Sequence, residues 1–542
     1  MRILVKIILI VNFGLLTFIK VNAQSTFYFP KNNSYVLDTV LTLKWNMQDS
    51  IDLEVATDGS FSNNILSINA AYIDSIQLNS ISFGDTIFAR IKHSESKGWQ
   101  DTITFYVFHP TLISSISNWY SPDSVHFDIS NKIDTVYDLI SGSHFFQTNS
   151  SNTPELIDSI FASPCIYFNG NQYLKNTNPL FPDDAVFSSS WLFLSKGTSS
   201  YSGVVTQFNQ TGNDKLLWRT NNVSKLFEGK NFPTTVNDFD FSYNYENGVL
   251  VSSISNGNSN GINTYINGSL YDNSTLVSIS QESPTVIGSY YASSPQYFFK
   301  GYFTELLMFS SPISEEERIL IENYLKYKYT PPVNLGADIS IQYGFCPIEI
   351  SINEGYFKSF EWSNGSTSSS IEVTESGKYS VTATDYLGNI SSDEIIVSYP
   401  SINNNLNDTT ICFGDSVLWN PNLPQLNYTF NWNNGFASDT AIYLNEEKDY
   451  YYSVTDTNSC SYLSDTIQIS VDSFPLVNLL PDTLETCLNQ KVFIENQEAV
   501  SYLWSNDSTT PYFTVDSEEL VFLTVTNETG CSAIDSVFFD TI

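Results

Sequence analysis

Two stretches of the sequence combine aromatic and polar side chains in a way that suits sugar binding. KLLWRTNN contains Trp218 and Arg219 followed by two asparagines, and GSYYASSPQYFF contains Tyr290, Tyr291 and Tyr297 among serines and a proline. A sugar binds through a flat apolar surface against its C–H face and polar groups at its hydroxyls. We therefore predict that the tyrosine segment forms the rim of a ligand site and that Trp218 or Arg219 contributes to it.

The same residues have a structural alternative. Successive side chains of a strand point to opposite faces, so either Trp218 or Arg219 faces outward, but not both. Trp218 could instead lie in a core, and the tyrosines could pack on a helix that the sequence predicts at residues 314–329. The sequence alone leaves both alternatives open.

Catalytic chemistry is not indicated. Retaining glycoside hydrolases hold two carboxylates about 5–5.5 Å apart, commonly as Glu-x-Asp-x-x-Glu. Only Glu447 and Asp449 begin that pattern, and position 452 is a tyrosine. There is no His-Glu-x-x-His motif and no Gly-x-Ser-x-Gly elbow between a strand and a helix. The four histidines are not at metal-binding spacing: His93, His109, His126 and His144. We predict no catalytic residue and no enzymatic activity.

The composition indicates a folded, multidomain chain with an acidic surface. The 542 residues correspond to several domains, and 42% hydrophobic with 15% aromatic residues are enough for their cores. Charged residues make up only 15% of the chain, and its formal net charge is −35. Such a charge repels phosphate backbones, so we exclude nucleic acid as a partner.

The first 23 residues have the pattern of a signal peptide. Arg2 and Lys6 precede a short apolar stretch, and Val21-Asn22-Ala23 provides a cleavage site before Gln24. No later stretch reaches the ~20 apolar residues of a membrane span. We therefore predict a secreted or cell-surface protein.

The last third of the chain contains three copies of one pattern. Each copy has an early cysteine, a tryptophan and a late position 27, 28 or 27 residues after the tryptophan. The early cysteines are Cys346, Cys412 and Cys487; the tryptophans are Trp362, Trp432 and Trp504; the late positions are Asn389, Cys460 and Cys531. Short alternating strands between Gly/Asn/Asp turns predict β-sandwiches at 333–400, 401–474 and 475–542, with each tryptophan in a core.

These copies resemble the immunoglobulin-like or polycystic-kidney-disease-like repeats of large surface proteins in gliding, polymer-degrading bacteria. In an exported chain, cysteines favour disulfides. We predict that Cys412 pairs with Cys460 and Cys487 with Cys531, each inside one repeat. Asn389 departs from the pattern, which leaves Cys346 and Cys165 as predicted free thiols.

Two further domains precede the repeats. Residues 24–110, with LTLKWN and IFARIKHSESKGWQ, resemble a fibronectin type III module. Residues 111–330, with VYDLISG, CIYFNGNQYLK, TYINGSLYDNS and KGYFTELLMF, resemble a laminin-G-like, concanavalin-A-like jelly roll. Ser314 and Glu317 form a capping-box pattern that begins the one predicted helix, and Pro331 and Pro332 end it. The fold class is all-β, with a β-sandwich module, a jelly roll and three tandem immunoglobulin-like sandwiches.

The laminin-G resemblance implies a calcium site. Asp138 matches the family's Asp-x-x-Ser-Gly position, and Asp272 follows an Asn-Gly turn as a second candidate. Calcium takes six to eight oxygen ligands. The alternative is that these aspartates only cap turns. Calcium is the one cofactor that we consider.

These features predict an adhesion or glycan-recognition protein. The jelly roll would bind an extracellular glycan or a surface protein, and the other domains would act as spacers. The first alternative is a structural rod of the extracellular matrix without a specific ligand. The second is a polysaccharide hydrolase on the jelly-roll fold, with its acids on separate strands.

Overall fold

The structure is a computed structural model. It describes residues 26–46, 50–79, 81–182, 186–197, 202–207, 216–220, 225–230, 241–242, 247–257, 261–274, 283–290, 295–400, 402, 406–423, 428–435, 440–479, 482–493 and 500–542. The predicted signal peptide, residues 1–23, lies outside these ranges. Strands dominate the described residues, and their one α-helix is α1 (Glu315–Tyr329), so the predicted all-β class is confirmed. Within these ranges no helix has the length and apolarity needed to cross a membrane.

The chain forms two compact units. The first comprises the residues up to Asp338 together with Ile350–Ile371 and Lys378–Ile395; the second comprises Ile339–Glu349, Glu372–Gly377 and Ile396–Ile542. The division runs through the first predicted repeat.

The N-terminal domain is a small β-sandwich in the first unit. Its two sheets have the orders β1-β3-β6 and β2-β8-β7-β4-β5. Trp45 and alternate residues of β4 and β7 fill the core between them, as the period of two in strands requires. The strands are β1 (Phe27–Phe29), β2 (Ser34–Val36), β3 (Leu41–Trp45), β4 (Ile51–Ala56), β5 (Asn64–Ala71), β6 (Ser75–Leu78), β7 (Thr86–His93) and β8 (Asp101–Val107).

The central domain is one 16-stranded sheet that folds over on itself. Its main path runs β19-β18-β17-β16-β23-β14-β11-β10-β9-β24-β15-β20-β21-β22, with β13 paired to β24 and β12 to β13. The strands are β9 (Ile116–Phe127), β10 (Ile133–Asp138), β11 (Phe145–Phe146), β12 (Glu155–Ile157), β13 (Cys165–Asn169), β14 (Leu174–Asn176), β15 (Val186–Ser195), β16 (Ser202–Gln207), β17 (Leu216–Thr220), β18 (Lys225–Lys230), β19 (Phe241–Ser242), β20 (Val249–Asn256), β21 (Ile262–Ile266), β22 (Ser269–Ser274), β23 (Thr285–Ile287) and β24 (Lys300–Phe309).

An aromatic contact shows that this sheet makes two layers. Trp218 on β17 and Trp191 on β15 have ring centroids 5.9 Å apart. Their strands are eight steps apart in the sheet order, which would separate them by about 40 Å in a flat sheet. The sheet therefore closes over a shared aromatic core, and the domain is a β-sandwich.

Helix α1 covers the outside of one layer. Ser314 accepts a hydrogen bond from the Glu317 N–H, and the Glu317 side chain accepts one from the Ser314 N–H, so the predicted capping box is confirmed. Ile321 and Leu325 on the helix belong to an apolar cluster with Leu192 of β15 and Leu307 of β24. A second core thus lies between α1 and this layer.

The C-terminal strands form small sheets. In the second repeat their orders are β31-β38-β35, β32-β34 and β33-β36-β37, and in the third they are β39-β44-β43-β41 and β40-β42. The strands are β25 (Ile339–Ser340), β26 (Ile348–Ser351), β27 (Phe357–Trp362), β28 (Ser370–Val373), β29 (Gly377–Asp385), β30 (Ile390–Ser398), β31 (Thr409–Cys412), β32 (Val417–Trp419), β33 (Tyr428–Trp432), β34 (Ile442–Leu444), β35 (Lys448–Tyr450), β36 (Tyr452–Asp456), β37 (Ser461–Leu463), β38 (Ile467–Asp472), β39 (Thr483–Thr486), β40 (Lys491–Phe493), β41 (Ser501–Trp504), β42 (Tyr512–Thr514), β43 (Glu519–Thr526) and β44 (Ser532–Thr541). Trp362, Trp432 and Trp504 are all buried, as predicted.

The predicted disulfides within repeats are wrong. The bonded pairs are Cys346–Cys460 and Cys412–Cys531, so Cys346 is not free, and Cys165 and Cys487 are the two free thiols. The third repeat shows why. Cys531 precedes β44, and Cys487 follows Thr486, which pairs with Thr541 at the far end of that strand. Cys487 and Cys531 therefore lie near opposite ends of the ten-residue strand β44, about 30 Å apart. A disulfide needs Cα atoms within about 7 Å.

We expect non-reducing peptide mapping of the full chain, alkylated before digestion, to recover Cys346 linked to Cys460 and Cys412 linked to Cys531. When the 542-residue chain is produced and oxidised by itself, alkylated Cys165 and Cys487 should appear as unlinked peptides. Recovery of Cys412 linked to Cys460 would contradict this arrangement of the repeats.

Candidate functional site

Trp218 does not contribute to a surface site. Its side chain is 0% exposed, and its ring lies 5.4 Å from Phe181 and 5.9 Å from Trp191. The predicted ligand role of Trp218 is therefore wrong, and the alternative placement in the core is correct. Arg219 follows it on β17, but the Arg219 side chain lies outside the described part of the molecule.

The structure brings two of the three predicted tyrosines together. The rings of Tyr290 and Tyr297 are edge to face, with centroids 5.8 Å apart, and Tyr297 is 46% exposed. Neither belongs to the apolar cluster that includes helix α1. Tyr291 lies outside the described residues. Tyr290 is half-buried, so the pair presents mainly the Tyr297 ring to solvent, and the ligand role of this segment stays a prediction.

The backbone that carries these tyrosines is held by β16. The Gly203 N–H donates to the Tyr297 carbonyl at 3.1 Å, and the Tyr290 N–H donates to the Gln296 carbonyl at 3.0 Å. A Cβ on Gly203 would lie 2.3 Å from the Ser289 carbonyl oxygen and 2.7 Å from the Tyr290 Cα. Only glycine permits this approach, so the position of the tyrosine pair depends on the residue type at 203.

Two further aromatic residues lie beside the pair. Phe298, next to Tyr297, forms an isolated bridge with Gly203, and its ring centroid is 6.1 Å from that of Tyr173. Both side chains are half-buried. We call Tyr173, Tyr290, Tyr297 and Phe298 the aromatic edge. The sequence interpretation did not include Tyr173 or Phe298, although FNGNQYLK and PQYFF contain them.

The layer next to the aromatic edge also has polar and apolar groups on its outer face. Leu174 and Phe145 point into the core, so their neighbours Lys175 and Phe146 lie on the opposite face. Lys175 and Phe146 are cross-strand partners on β14 and β11, and both are half-buried. This face therefore combines an amine with an aromatic ring.

Asp138 caps a turn. Its Oδ1 accepts from the Trp119 and Ile140 N–H groups at 2.9 and 3.1 Å, and its Oδ2 accepts from Asn118 Nδ2 at 2.8 Å. Ser141 donates to Oδ2 from both its N–H and its hydroxyl. Burial raises the pKa of Asp138, but the hydrogen bonds from Ser141, Trp119, Ile140 and Asn118 outweigh it, so this pKa lies below its usual range. Both carboxylate oxygens are thus engaged by protein donors.

Asp272 lies on β22 and is half-buried, six strands from β10 in the sheet order. In the described ranges, one group of three His, Cys, Asp or Glu side chains is close enough to hold a metal: Cys346, Asp456 and Cys460. Both of its sulfurs belong to a disulfide. Calcium binding by Asp138 and Asp272 stays a prediction.

A buried carboxylate attaches α1 to the sheet. Glu305 on β24 is 0% exposed and accepts hydrogen bonds from Trp119 Nε1, the Tyr324 hydroxyl and the Tyr329 hydroxyl at 2.9, 2.9 and 3.1 Å. Lys328 forms a buried ion pair with Glu305, and it forms another ion pair with the more exposed carboxylate of Asp123. Burial lowers the pKa of Lys328, but Glu305 and Asp123 more than compensate, so this pKa is raised. Glu305 is a structural residue because every one of these donors is internal.

Comparison with known proteins identifies no family. No protein-family model and no curated protein is similar to the chain. Among solved structures, domain 4 of AbnA, a GH43 extracellular arabinanase from Geobacillus stearothermophilus in complex with arabinotriose, is 15% identical with a TM-score of 0.29, over 38% of this chain and 96% of that one. The binding domain of Paraclostridial Mosquitocidal Protein 1 is 13% identical with a TM-score of 0.31, over 64% and 76%. Trypanosoma rangeli sialidase in complex with sialic acid is 9% identical with a TM-score of 0.31, over 53% and 51%. Similarity at this level indicates neither ligand nor activity.

We expect Asp138→Ala to destabilise the central domain by about 1–3 kcal/mol, because it leaves several buried donors without an acceptor. Asp158→Ala is the control, because Asp158 is exposed and accepts no hydrogen bond among the described residues, so stability should change by less than about 0.5 kcal/mol. The measurement is the thermal unfolding midpoint of each full-length variant, with and without a calcium chelator. If the chelator removes the difference between the parent and Asp138→Ala, Asp138 acts through calcium and not as a turn cap.

The stabilisation that Asp138 gives to the folded state should decrease as the pH falls. Its pKa is lowered in the folded state, so the unfolded chain binds the proton more tightly. The stabilisation is complete above the unfolded pKa of about 3.9 and is lost as the pH falls through the lower folded pKa. The difference in midpoint between parent and Asp138→Ala should therefore shrink from pH 7 to pH 3. An undiminished difference at pH 3 would contradict the assignment.

Lys328→Met should destabilise the central domain by about 3–5 kcal/mol, because it leaves the Glu305 carboxylate buried without its cation. Lys326→Met removes the same charge from the same helix at a position with no ion pair in the described structure, and should have little effect. Denaturant titration followed by tryptophan fluorescence compares the two. Equal destabilisation by both substitutions would show that the buried pair is not what holds the helix.

Proposed function

We propose that the protein is an extracellular glycan-recognition protein whose central domain binds a polysaccharide at the aromatic edge. The observation that carries the proposal is the exposed ring of Tyr297 packed edge to face against the half-buried ring of Tyr290, on a backbone whose position depends on Gly203. Sugar C–H faces stack on such rings, and pre-organised rings lose little conformational entropy on binding. Lys175, on the outer face of the same layer, supplies a hydrogen-bond donor for hydroxyl groups.

The proposal is of binding and not of catalysis. A catalytic carboxylate must reach its substrate. The acids that are buried in the described part of the central domain, Asp138, Glu305 and Glu322, instead accept hydrogen bonds from protein donors. The absence of enzymatic activity is part of the proposal, and incubation of the protein with each retained polysaccharide, followed by an assay for reducing ends, tests it.

The C-terminal repeats support a spacer role. Cys346–Cys460 and Cys412–Cys531 close loops with sequence separations of 114 and 119 residues, and each disulfide joins one repeat to the next. In the chain-entropy model, closing a loop of this length restricts the unfolded chain by about 4–5 kcal/mol. Disulfides also suit an oxidising, extracellular location. The same observation favours the second candidate, a structural rod without a specific ligand.

Tyr290→Ala and Tyr297→Ala should each weaken retention on a bound polysaccharide at least about tenfold, which corresponds to about 1.4 kcal/mol. Tyr271→Ala is the control, because Tyr271 is an exposed tyrosine of the same domain on β22. Affinity electrophoresis in gels that contain one polysaccharide each measures the change, and the unfolding midpoint checks the fold.

Unchanged retention of both variants would contradict the assignment of the site. A parent protein that no polysaccharide retains would contradict glycan recognition and favour the structural rod.

A further inference from the structure

The two disulfides follow one rule. Each joins the early cysteine of a repeat to the late cysteine of the following repeat: Cys346 of the first to Cys460 of the second, and Cys412 of the second to Cys531 of the third. The early cysteine of the third repeat is not part of either disulfide. Cys487 of the third repeat is free and exposed.

The late cysteines lie on a turn that is the same in all three repeats. We call residues 385–389, 456–460 and 527–531 the late turns. In each, the first residue's N–H donates to the last residue's carbonyl, at 3.0, 2.9 and 3.0 Å. The last residue's N–H donates in return to the first residue's side-chain oxygen, at 2.8, 3.0 and 2.8 Å. Asn389 is therefore the structural equivalent of the two late cysteines.

Each late turn contacts the domain that precedes it in the chain. In the second repeat, Asp456 accepts a hydrogen bond from the Phe345 N–H, next to Cys346, at 2.8 Å. In the third, Asn527 Nδ2 donates to Asp472 of the second repeat at 2.9 Å. In the first, Tyr386 contacts Phe161 of the central domain, with ring centroids 5.9 Å apart. The first late turn thus packs on a domain without an early cysteine, which explains why Asn389 needs no thiol.

Cys487 has the same backbone setting as Cys412. Cys412 is the last residue of β31 and Cys487 directly follows β39, and each of these strands pairs in parallel with the last strand of its repeat. Both begin the same turn, since the Asp415 N–H donates to the Cys412 carbonyl at 2.9 Å and the Gln490 N–H donates to the Cys487 carbonyl at 3.2 Å. Cys412 is bonded to a late turn, whereas the Cys487 thiol faces solvent.

We propose that Cys487 is the attachment site for a further immunoglobulin-like repeat, through a disulfide to an unpaired cysteine at the end of that repeat's late turn. A second copy of this chain does not supply the partner cysteine, because both of its late cysteines are already bonded. Cys165 does not compete, because it is buried and its pKa is raised to about 12, which keeps it a thiol.

The bond forms by thiol–disulfide exchange with an extracellular disulfide oxidant, either an oxidoreductase or a low-molecular-weight disulfide. The Cys487 thiolate attacks one sulfur of the oxidant and releases the other as a thiolate. The late-turn thiolate then attacks the Cys487 sulfur of this mixed disulfide and displaces the oxidant's second thiolate. The two cysteines lose two protons and two electrons, and the oxidant becomes a dithiol or two thiols.

The test is a full-length chain extended after Ile542 by a second copy of residues 475–542, in which the copy's early cysteine is serine. We expect refolding in a glutathione buffer to link Cys487 to the copy's late cysteine. Titration of free thiols in denaturant should then find one thiol per chain, that of Cys165. The control carries serine at the copy's late position and should keep Cys487 free. A correctly folded extended chain in which Cys487 stays free, or is bound to glutathione, would overturn the proposal.

Protein from its natural source provides an independent test that does not require the extension to fold. Peptide mapping after alkylation should find Cys487 linked to a peptide with Asp or Asn four residues before its cysteine, as in both bonded late turns. Non-reducing electrophoresis then distinguishes a partner on a separate chain, which is released by reduction, from one on the same chain. Cys487 linked to Cys487 of a second copy, or alkylated as a free thiol, would contradict the proposal.

Discussion

The contact between the aromatic residues of β15 and β17 determines how the central domain is built. Trp191 and Trp218 meet only because the 16-stranded sheet folds over, and this closure produces one layer that faces α1 and one that does not. Glu305 and Lys328 fasten the helix to the first layer through buried charge-assisted hydrogen bonds. The aromatic edge, where we propose that a ligand binds, belongs to the second layer.

The C-terminal repeats depend on a different constraint. A small β-sandwich buries little surface, so it gains from a neighbour that holds its end. Here the late turn of each repeat contacts the preceding domain, through apolar packing in the first repeat and through a disulfide in the second and third. Covalent links between successive repeats limit bending between them, which suits the spacer role proposed above.

Local features could be predicted from the sequence, and features that depend on distant contacts could not. The capping box at Ser314 and the period of two in the strands act within a few residues, so they identified α1 and the all-β class. The disulfide partners depend on how successive repeats meet, and the fixed spacing inside one repeat suggested the wrong partners. Strand alternation alone could not decide whether Trp218 or Arg219 faces the core, and the Glu305 network joins residues up to 186 positions apart.

Hydrogen–deuterium exchange of the full-length protein, with and without a polysaccharide that it retains, tests the central claim most directly. Binding at the aromatic edge orders the backbone around Gly203 and the tyrosine pair, so exchange should slow in peptides that cover residues 202–207, 286–290 and 295–299. The N-terminal domain and the repeats should exchange as before. Protection confined to the repeats or to the N-terminal domain, with none at the aromatic edge, would contradict the account.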